Sequence, residues 1–434
     1  MNLSLRSREL MKELRKVTYA RDDILDRPLD RPYVFYAPNL CGSYAIFIFG
    51  SYRCDKYLRG LCTPCHYSGL LHPASAPRSE VFASILDQTD YLLAHFDELV
   101  FAHQDGRGAG YRLNRPHEGG RFADLQIAGE GSFLRDGEVP PEIRREVLRR
   151  LVEFSRRERI NLHVGLEVKA EDVVHAEARG ELESWGRWVE ELNLTLIMGF
   201  ESIDPFVRNV IFNKDLSLES IERAISIGHA RGMRPTCFVY PGNHGMTDAE
   251  AVADAVASVR WLRSRDAGIY MMLPNLQPHT IPHVLYHAGA YNLIDVRTAV
   301  GILDELLAGS QGESPVHYHA GDDWNIGGVT SEPDPEINVF TNERAASCAA
   351  CRGAFRAAVW HLAQRHDVVG YRERVSAIEA CACRERHVES ARSDERRSAR
   401  PIAERVEEDL ERVAAEIPGY RPGRTVLKSG AGAG

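Results

Sequence analysis

Short apolar runs alternate along the chain with longer stretches whose apolar residues recur at helical spacing. The runs Ala45–Phe49, Asp124–Ala128, Leu162–Val168, Leu194–Gly199, Pro235–Tyr240 and Ile269–Leu273 read as buried strands. The intervening stretches Ser79–Phe96, Pro140–Arg157, Glu171–Glu191, Leu218–Arg231, Asp248–Arg265 and Asp295–Leu307 read as helices. Pro140 sits where a first turn tolerates it, and Gly232 marks a helix stop. Strand–helix alternation of this kind implies parallel pairing through right-handed crossovers. The expected fold is α/β, a (β/α)6 partial TIM-like barrel, with a doubly wound sheet as the alternative. In both, the site lies at the carboxyl ends of the strands. The tips to inspect are therefore residues 50–67, 129–138, 167–169, 200–202, 241–246 and 274–287.

The alternation divides the chain. Residues 1–40 are polar and read as an N-terminal extension or partner surface, and residues 41–310 as the part-barrel. Residues 311–388 form a cysteine-containing, metal-binding extension that opens on the Pro/Gly/Asp-rich stretch Gly321–Pro335. Residues 389–434 read as a charged helix with a Gly/Ala/Ser-rich, disordered tail. Across all 434 residues, 44% are hydrophobic and 26% charged, which excludes a mainly disordered, collagen-like or coiled-coil chain. Fifty-three Lys and Arg against 62 Asp and Glu give a formal charge of −9, which argues against a nucleic-acid backbone as the main partner. No apolar run nears the ~20 residues of a membrane span, and Met1–Lys16 carries no signal-peptide core. A cytoplasmic chain without a membrane partner is expected.

Nine cysteines in such a chain read as metal ligands or reactive thiols before disulfides. Cys54, Cys62 and Cys65 follow the first strand. Three thiolates there would hold three irons of a 4Fe–4S cube and leave the fourth iron open. A zinc loop, with His66 as a fourth ligand, or three unrelated buried cysteines are the alternatives. Cys348, Cys351, Cys381 and Cys383 form two close pairs, which suits tetrahedral zinc or an auxiliary iron–sulfur cluster. Cys237, within a strand, and Cys41 read as structural.

The segment Arg59-Gly60-Leu61-Cys62-Thr63-Pro64-Cys65-His66-Tyr67, with Cys54 eight residues before Cys62, resembles radical S-adenosylmethionine (radical SAM) enzymes. The spacing is closest to the subfamily that makes the tRNA base archaeosine. Further segments resemble that subfamily in the same order. They are Gly131-Ser132-Phe133-Leu134 with Glu138-Val139-Pro140, Leu166-Glu167-Val168, and Gly199-Phe200-Glu201-Ser202 with Val207-Arg208 and Asn213-Lys214. Asn275-Leu276-Gln277 and the terminal Cys-x-x-Cys and Cys-x-Cys complete the set. Two segments depart from the subfamily: Gly129-Glu130, and Tyr240-Pro241-Gly242-Asn243-His244, which replaces a Lys-Pro-Pro segment.

The resemblance implies a 4Fe–4S cluster on Cys54, Cys62 and Cys65, S-adenosylmethionine as cofactor, and a flavodoxin or ferredoxin as electron donor. It implies that Gly129, Glu130, Gly131 and Ser132 receive the methionine amino group. Glu167, Glu201 and Arg208 would hold ribose or carboxylate, and Tyr67 would pack on adenine. Asn243, His244, Asn275, Gln277 and His279 would face the substrate. His279, His283 and His287 are spaced four apart, but Pro282 interrupts them, so a polar lining or capping role is expected. The altered tip and the acidic balance favour a small-molecule substrate in a specialised biosynthetic pathway over a lysine–7-deazaguanine adduct in tRNA. A zinc-binding interaction module or zinc hydrolase is the alternative of another class.

Overall fold

The computed structural model describes residues 2–16, 30, 32–39, 42–50, 54–66, 77–103, 117–129, 131–271, 274, 276–308, 348–365, 367–384 and 397–420. One seven-stranded sheet organises them, in the order β1 (Tyr33–Asn39), β2 (Gly42–Ile48), β3 (Arg121–Ala128), β4 (Ile160–Val168), β5 (Thr195–Glu201), β6 (Arg234–Val239) and β7 (Gly268–Met271). Strands β2 to β7 pair in parallel with their sequence neighbours, and β1 adds an antiparallel edge to β2. A doubly wound sheet reverses its strand order at a switch point. The order here never reverses, so the fold is the (β/α)6 part-barrel. The pairings Ile48↔Ala128, Ile127↔Leu166, Val168↔Met198 and Val239↔Met271 bring the strands' carboxyl ends to one rim.

The period-2 pattern separates the two faces. Leu125, Ile127, Val164, Leu166, Leu196, Met198, Cys237 and Val239 lie in the main apolar core. The alternate residues differ: Ile46, Ile197, Phe238 and Tyr270 form a separate small cluster. Beside it, His163 bridges three strands, with Nδ1 2.8 Å from Asp124 Oδ1 and Nε2 2.9 Å from Thr195 Oγ1. All three are buried, so each polar atom has to find its partner across the strands.

The connecting helices are α2 (Arg78–Ala94), α3 (Pro141–Glu158), α4 (Ala170–Ala178), α5 (Leu218–Ala230), α6 (Asp248–Arg263), α7 (Ile281–His287) and α8 (Val296–Ala308), and α1 (Leu3–Lys16) precedes the sheet. Local chemistry sets their starts: Pro141 in the first turn of α3, Ser217 capping α5, and a Thr247–Glu250 capping box on α6. The expected single helix 171–191 is broken after α4. Gly180 and Gly186 adopt φ of +69° and +49°, and two short helical pieces, Glu181–Trp185 and Trp188–Glu191, follow them.

Three elements beyond the part-barrel complete the described structure: α9 (Ala349–Arg365), α10 (Val368–Glu379) and α11 (Ile402–Glu416). Phe355, Leu362, Tyr371 and Ile378 of α9 and α10 pack against Val296, Ala299 and Leu303 of α8. The N-terminal stretch does not stand off as an extension over residues 3–16. Leu10 and Met11 of α1 are fully buried together with Val406, Leu410 and Val413 of α11. The expected charged helix is therefore amphipathic, with Glu and Arg flanking its apolar stripe. Arg405 of α11 ties it to the part-barrel through both carboxylate oxygens of Glu250, at 2.5 and 2.9 Å. Among the described residues, no helix is long and apolar enough to cross a membrane. Cys41, residues 311–347 and the tail from 421 lie outside the described residues.

Leu410→Ala is expected to destabilise the chain by about 2–5 kcal/mol, as for other buried leucines. A shift in the denaturant midpoint measures it. An unchanged midpoint would mean that α11 does not belong to the core.

Candidate active site

The residues after β2 leave the sheet as an irregular loop, Cys54–His66, broken only by a helical turn at Asp55–Leu58. Its backbone polar groups are met by distant residues. From α1, the Arg15 guanidinium donates to Tyr57 O at 2.5 Å, Leu61 O at 2.8 Å, Cys62 O at 3.1 Å and Cys65 O at 2.9 Å. It also lies 4.0 Å from the centre of the Tyr57 ring. Cys62 N–H donates to Asn213 O, Thr63 N–H to Phe212 O, and Thr63 Oγ1 to Ile211 O at 2.6 Å. Cys62 itself takes a left-handed φ of +58°, and Cys65 N–H closes the turn on Cys62 O. Gly60, at φ +76°, lies so close to the Arg8 carbonyl that no side chain fits there.

Beneath the loop lie two lysines. Lys169, just past β4, reaches Asp55 at 2.5 Å and Glu138 at 2.8 Å. Burial would lower its pKa, but Cys54, Glu138 and Asp55 outweigh that and hold its ammonium well above the usual value. Burial raises the Cys54 thiol to about 12 despite Lys169. Cys54, Asp55 and Glu138 crowd within 4.8 Å, and Lys169 already compensates the two carboxylates. Lys214 donates to Glu201 Oε1 at 2.7 Å. Burial opposes its charge, but Glu201, Cys62 and Cys65 raise its pKa. Glu201 takes φ +65° at a register shift in β5, and a Cβ on Gly199 would lie 2.7 Å from Lys214 Nζ. Glu167, at the tip of β4, accepts from Gln126 Nε2 at 3.3 Å, and burial pushes its carboxyl up to about 7.

The other expected site residues distribute as follows. Gly129 and Gly131 stand at the β3 tip, and a Cβ on Gly131 would lie 2.7 Å from Cys54 Sγ. Ser132 is fully buried: its N–H donates to Glu138 at 2.5 Å, and its hydroxyl accepts from Lys169 N–H. Arg208 donates to the carbonyls of Leu216, Ser202 and Ile203, so its fork braces the β5 tip. Gln277 Oε1 accepts from His66 N–H at 2.5 Å, which makes it another clamp on the cysteine loop. His66 lies 3.2 Å from Tyr57 Oη and 5.1 Å from the His279 ring, and burial lowers its pKa to about 3. Asn243 and His244 are buried at the β6 tip, with His244 Nδ1 3.0 Å from Asn243 Oδ1. Burial lowers the His244 pKa to about 3. The three histidines do not share one helix face. Pro282 sits in the first turn of α7, and the His283 and His287 rings lie 4.5 Å apart on that helix, while His279, at φ +57°, precedes it. Tyr67, Glu130 and Asn275 lie outside the described residues.

At the far end, Cys348, Cys351, Cys381 and Cys383 bring their sulfurs within 4.8 Å of one another. Cys348 and Cys381 stand 3.6 Å apart, Cys351 and Cys383 3.4 Å. Zinc–sulfur bonds of about 2.3 Å in a tetrahedron put sulfurs about 3.8 Å apart. A cube anchors its thiolates on separate irons, farther apart. The quartet therefore fits one tetrahedral ion. Arg297 of α8 reaches Cys383 Sγ at 3.3 Å and Ile378 O at 2.7 Å. Burial opposes ionisation of Cys383, but Arg297 and the neighbouring thiols bring it down to about 6.

No family model matches the chain. An uncharacterized protein of Methanocaldococcus jannaschii is 23% identical over 257 residues, covering 58% of this chain and 62% of that protein, so the match spans less than two thirds of that relative. Among solved structures, the chain is similar to a queuine lyase from Clostridium spiroforme bound to SAM and queuine, at 15% identity and a TM-score of 0.34, over 56% of this chain and 79% of that one. It is also similar to the coproporphyrinogen III oxidase of Escherichia coli, described as a radical SAM enzyme, at 14% identity and 0.36, over 61% and 52%. A radical SAM methyltransferase of Kitasatospora setae with tryptophan and a SAM analog bound gives 14% and 0.34, over 59% and 41%.

Breaking the Lys214–Glu201 pair from either side strands a buried charge. Lys214→Met or Glu201→Gln alone is expected to cost about 3–5 kcal/mol of stability. The double variant should lose clearly less than the sum of the two, because the partners act as a unit. Denaturant titration of all three checks this, and strict additivity would contradict the pairing.

Proposed function

We propose that the chain is a radical SAM enzyme acting on a small molecule. The observation that carries this is the placing of Cys54, Cys62 and Cys65. They ride one loop at the carboxyl rim of a six-stranded parallel part-barrel, beside a glycine-lined β3 tip. Three thiols fit three corners of a 4Fe–4S cube and leave the fourth iron for a chelating ligand. When bound, the cluster and S-adenosylmethionine supply reductive cleavage to a 5′-deoxyadenosyl radical.

The chain's own residues then hold and orient. Gly129 and Gly131 leave backbone at the β3 tip accessible to an amino group. The Lys214 ammonium faces Cys62 and Cys65 and supplies a positive charge for a carboxylate. Glu167, near neutrality in its titration, accepts from or donates to a ribose or substrate hydroxyl. The buried Asn243–His244 pair at the β6 tip supplies hydrogen-bonding groups for the substrate. The formal charge of −9 favours a small polar substrate over tRNA, and the electron would come from a flavodoxin or ferredoxin. In this reading the terminal quartet holds a structural zinc that joins α9 and α10 to α8.

Two measurements test the reading. Anaerobically reconstituted chain, given S-adenosylmethionine and a reductant, should yield 5′-deoxyadenosine, and Ala at Cys54, Cys62 or Cys65 should abolish it. Unchanged yield from the triple variant would falsify the cluster assignment. Tight, saturable, sequence-selective tRNA binding at physiological salt would instead restore the archaeosine-type substrate.

Metal analysis should find one zinc in that triple variant and none in a Cys348/Cys351/Cys381/Cys383→Ser variant. The latter should also melt earlier, since metal binding is coupled to folding. Zinc content that tracked the first three cysteines would favour the zinc-protein alternative.

A further inference from the structure

One guanidinium spends its donors on the cysteine loop. Arg15 is nearly fully buried on α1, yet its Nη atoms meet no carboxylate among the contacts they make here. They meet four carbonyls, two of which belong to Cys62 and Cys65. We propose that Arg15 is the positioning residue of the cluster loop: it fixes the carbonyls, and so the thiols, of Cys62 and Cys65, and it places a permanent cation beside the cluster. The proposal rests on the cluster reading above.

A planar fork with five donors pre-organises several acceptors at once, which an ammonium on a flexible stem does not do. The loop has no ladder of its own over residues 59–66, so without the fork four carbonyls, two buried and two part-buried, lose a charged donor. Thiols on such a loop would then sample positions that no longer match three corners of a cube. The charge matters separately. A cluster gains an electron on reduction, and a fixed neighbouring cation in a low-dielectric setting stabilises the reduced form more than the oxidised one. Arg15 thereby raises the reduction potential.

The placing of α1 supports the assignment. Leu10 and Met11 anchor the helix in the apolar cluster shared with Ile211 and Phe212. Ser4 donates to Asn213 Oδ1 at 2.8 Å, and Asn213 O in turn accepts from Cys62 N–H. The helix thus grips the loop from one side directly and from the other through Asn213.

The test uses the full chain in two states. In the reduced, iron-free protein, the alkylation rates of Cys62 and Cys65 are compared between the parent and Arg15→Gln, with the core thiol Cys237 as a folding control. Several-fold faster labelling of Cys62 and Cys65 at an unchanged Cys237 rate is expected. In the reconstituted protein, the midpoint potential of the cluster should shift to more negative values in Arg15→Gln. Arg15→Lys should restore most of that shift while leaving the thiols unprotected, because it returns the charge without the fork. Equal labelling and equal potential in Arg15→Gln would overturn the proposal, as would labelling of Cys237 that rises in step. Should Arg15→Gln fail to fold, Gly60→Ala, which pushes the loop off the Arg8 carbonyl, is expected to expose the same two thiols, and unchanged labelling there would count against the clamp. A parent chain that takes up no iron defeats the cluster reading, whereas the labelling result still decides the clamp.

Discussion

A loop that carries three thiols into the interior must find partners for every backbone polar group it buries. Helices and strands meet that demand within themselves; the stretch after Asp55–Leu58 does not. Its carbonyls turn to Arg15, its N–H groups to the carbonyls of Phe212 and Asn213, and His66 N–H to Gln277. The surrounding elements are arranged by that need. α1 is anchored where Arg15 can reach, the turn around Val207–Ile211 presents its carbonyls to the loop, and the residues after β7 bring Gln277 back towards it.

Charge follows the same logic. Two buried ammonium groups flank the thiols, Lys169 paired with Asp55 and Glu138, Lys214 paired with Glu201. Buried charges persist only when partnered. Lys169, just past β4, reaches back to the segments that follow β2 and β3, whereas Lys214 and Glu201 tie the end of β5 to the segment after it.

The part-barrel was legible because its strands are apolar on the helix-facing side and its helices carry caps and stops that local chemistry dictates. The strand order was legible only as a class. Nothing in periodicity distinguishes a sheet that keeps its order from one that reverses it, and register had to show that. α1 was illegible for a different reason. In LSLRSRELMKELRK only three of the buried positions, Leu10, Met11 and Leu14, are apolar, and the charges around them read as solvent-facing, yet Arg15 is itself interior. Among site residues, residue type was readable and direction was not. Gln277 and Arg208 are polar groups at strand tips, as expected of ligand contacts, but both turn to backbone. Lys214 went unassigned although it adjoins Asn213 in the same resembling segment; a buried lysine near a strand-end glutamate was the available signal.

The packing of α1 against α11 has a consequence for biogenesis. Residues 3–16 leave the ribosome early, but much of the surface that buries Leu10 and Met11 comes from Val406, Leu410 and Val413, hundreds of residues later. Until that stretch emerges, the first helix lacks its full seat and the thiol loop lacks a firmly held latch. Arg15 therefore gains its full support against the carbonyls of Cys62 and Cys65 only once residues 402–416 have been made.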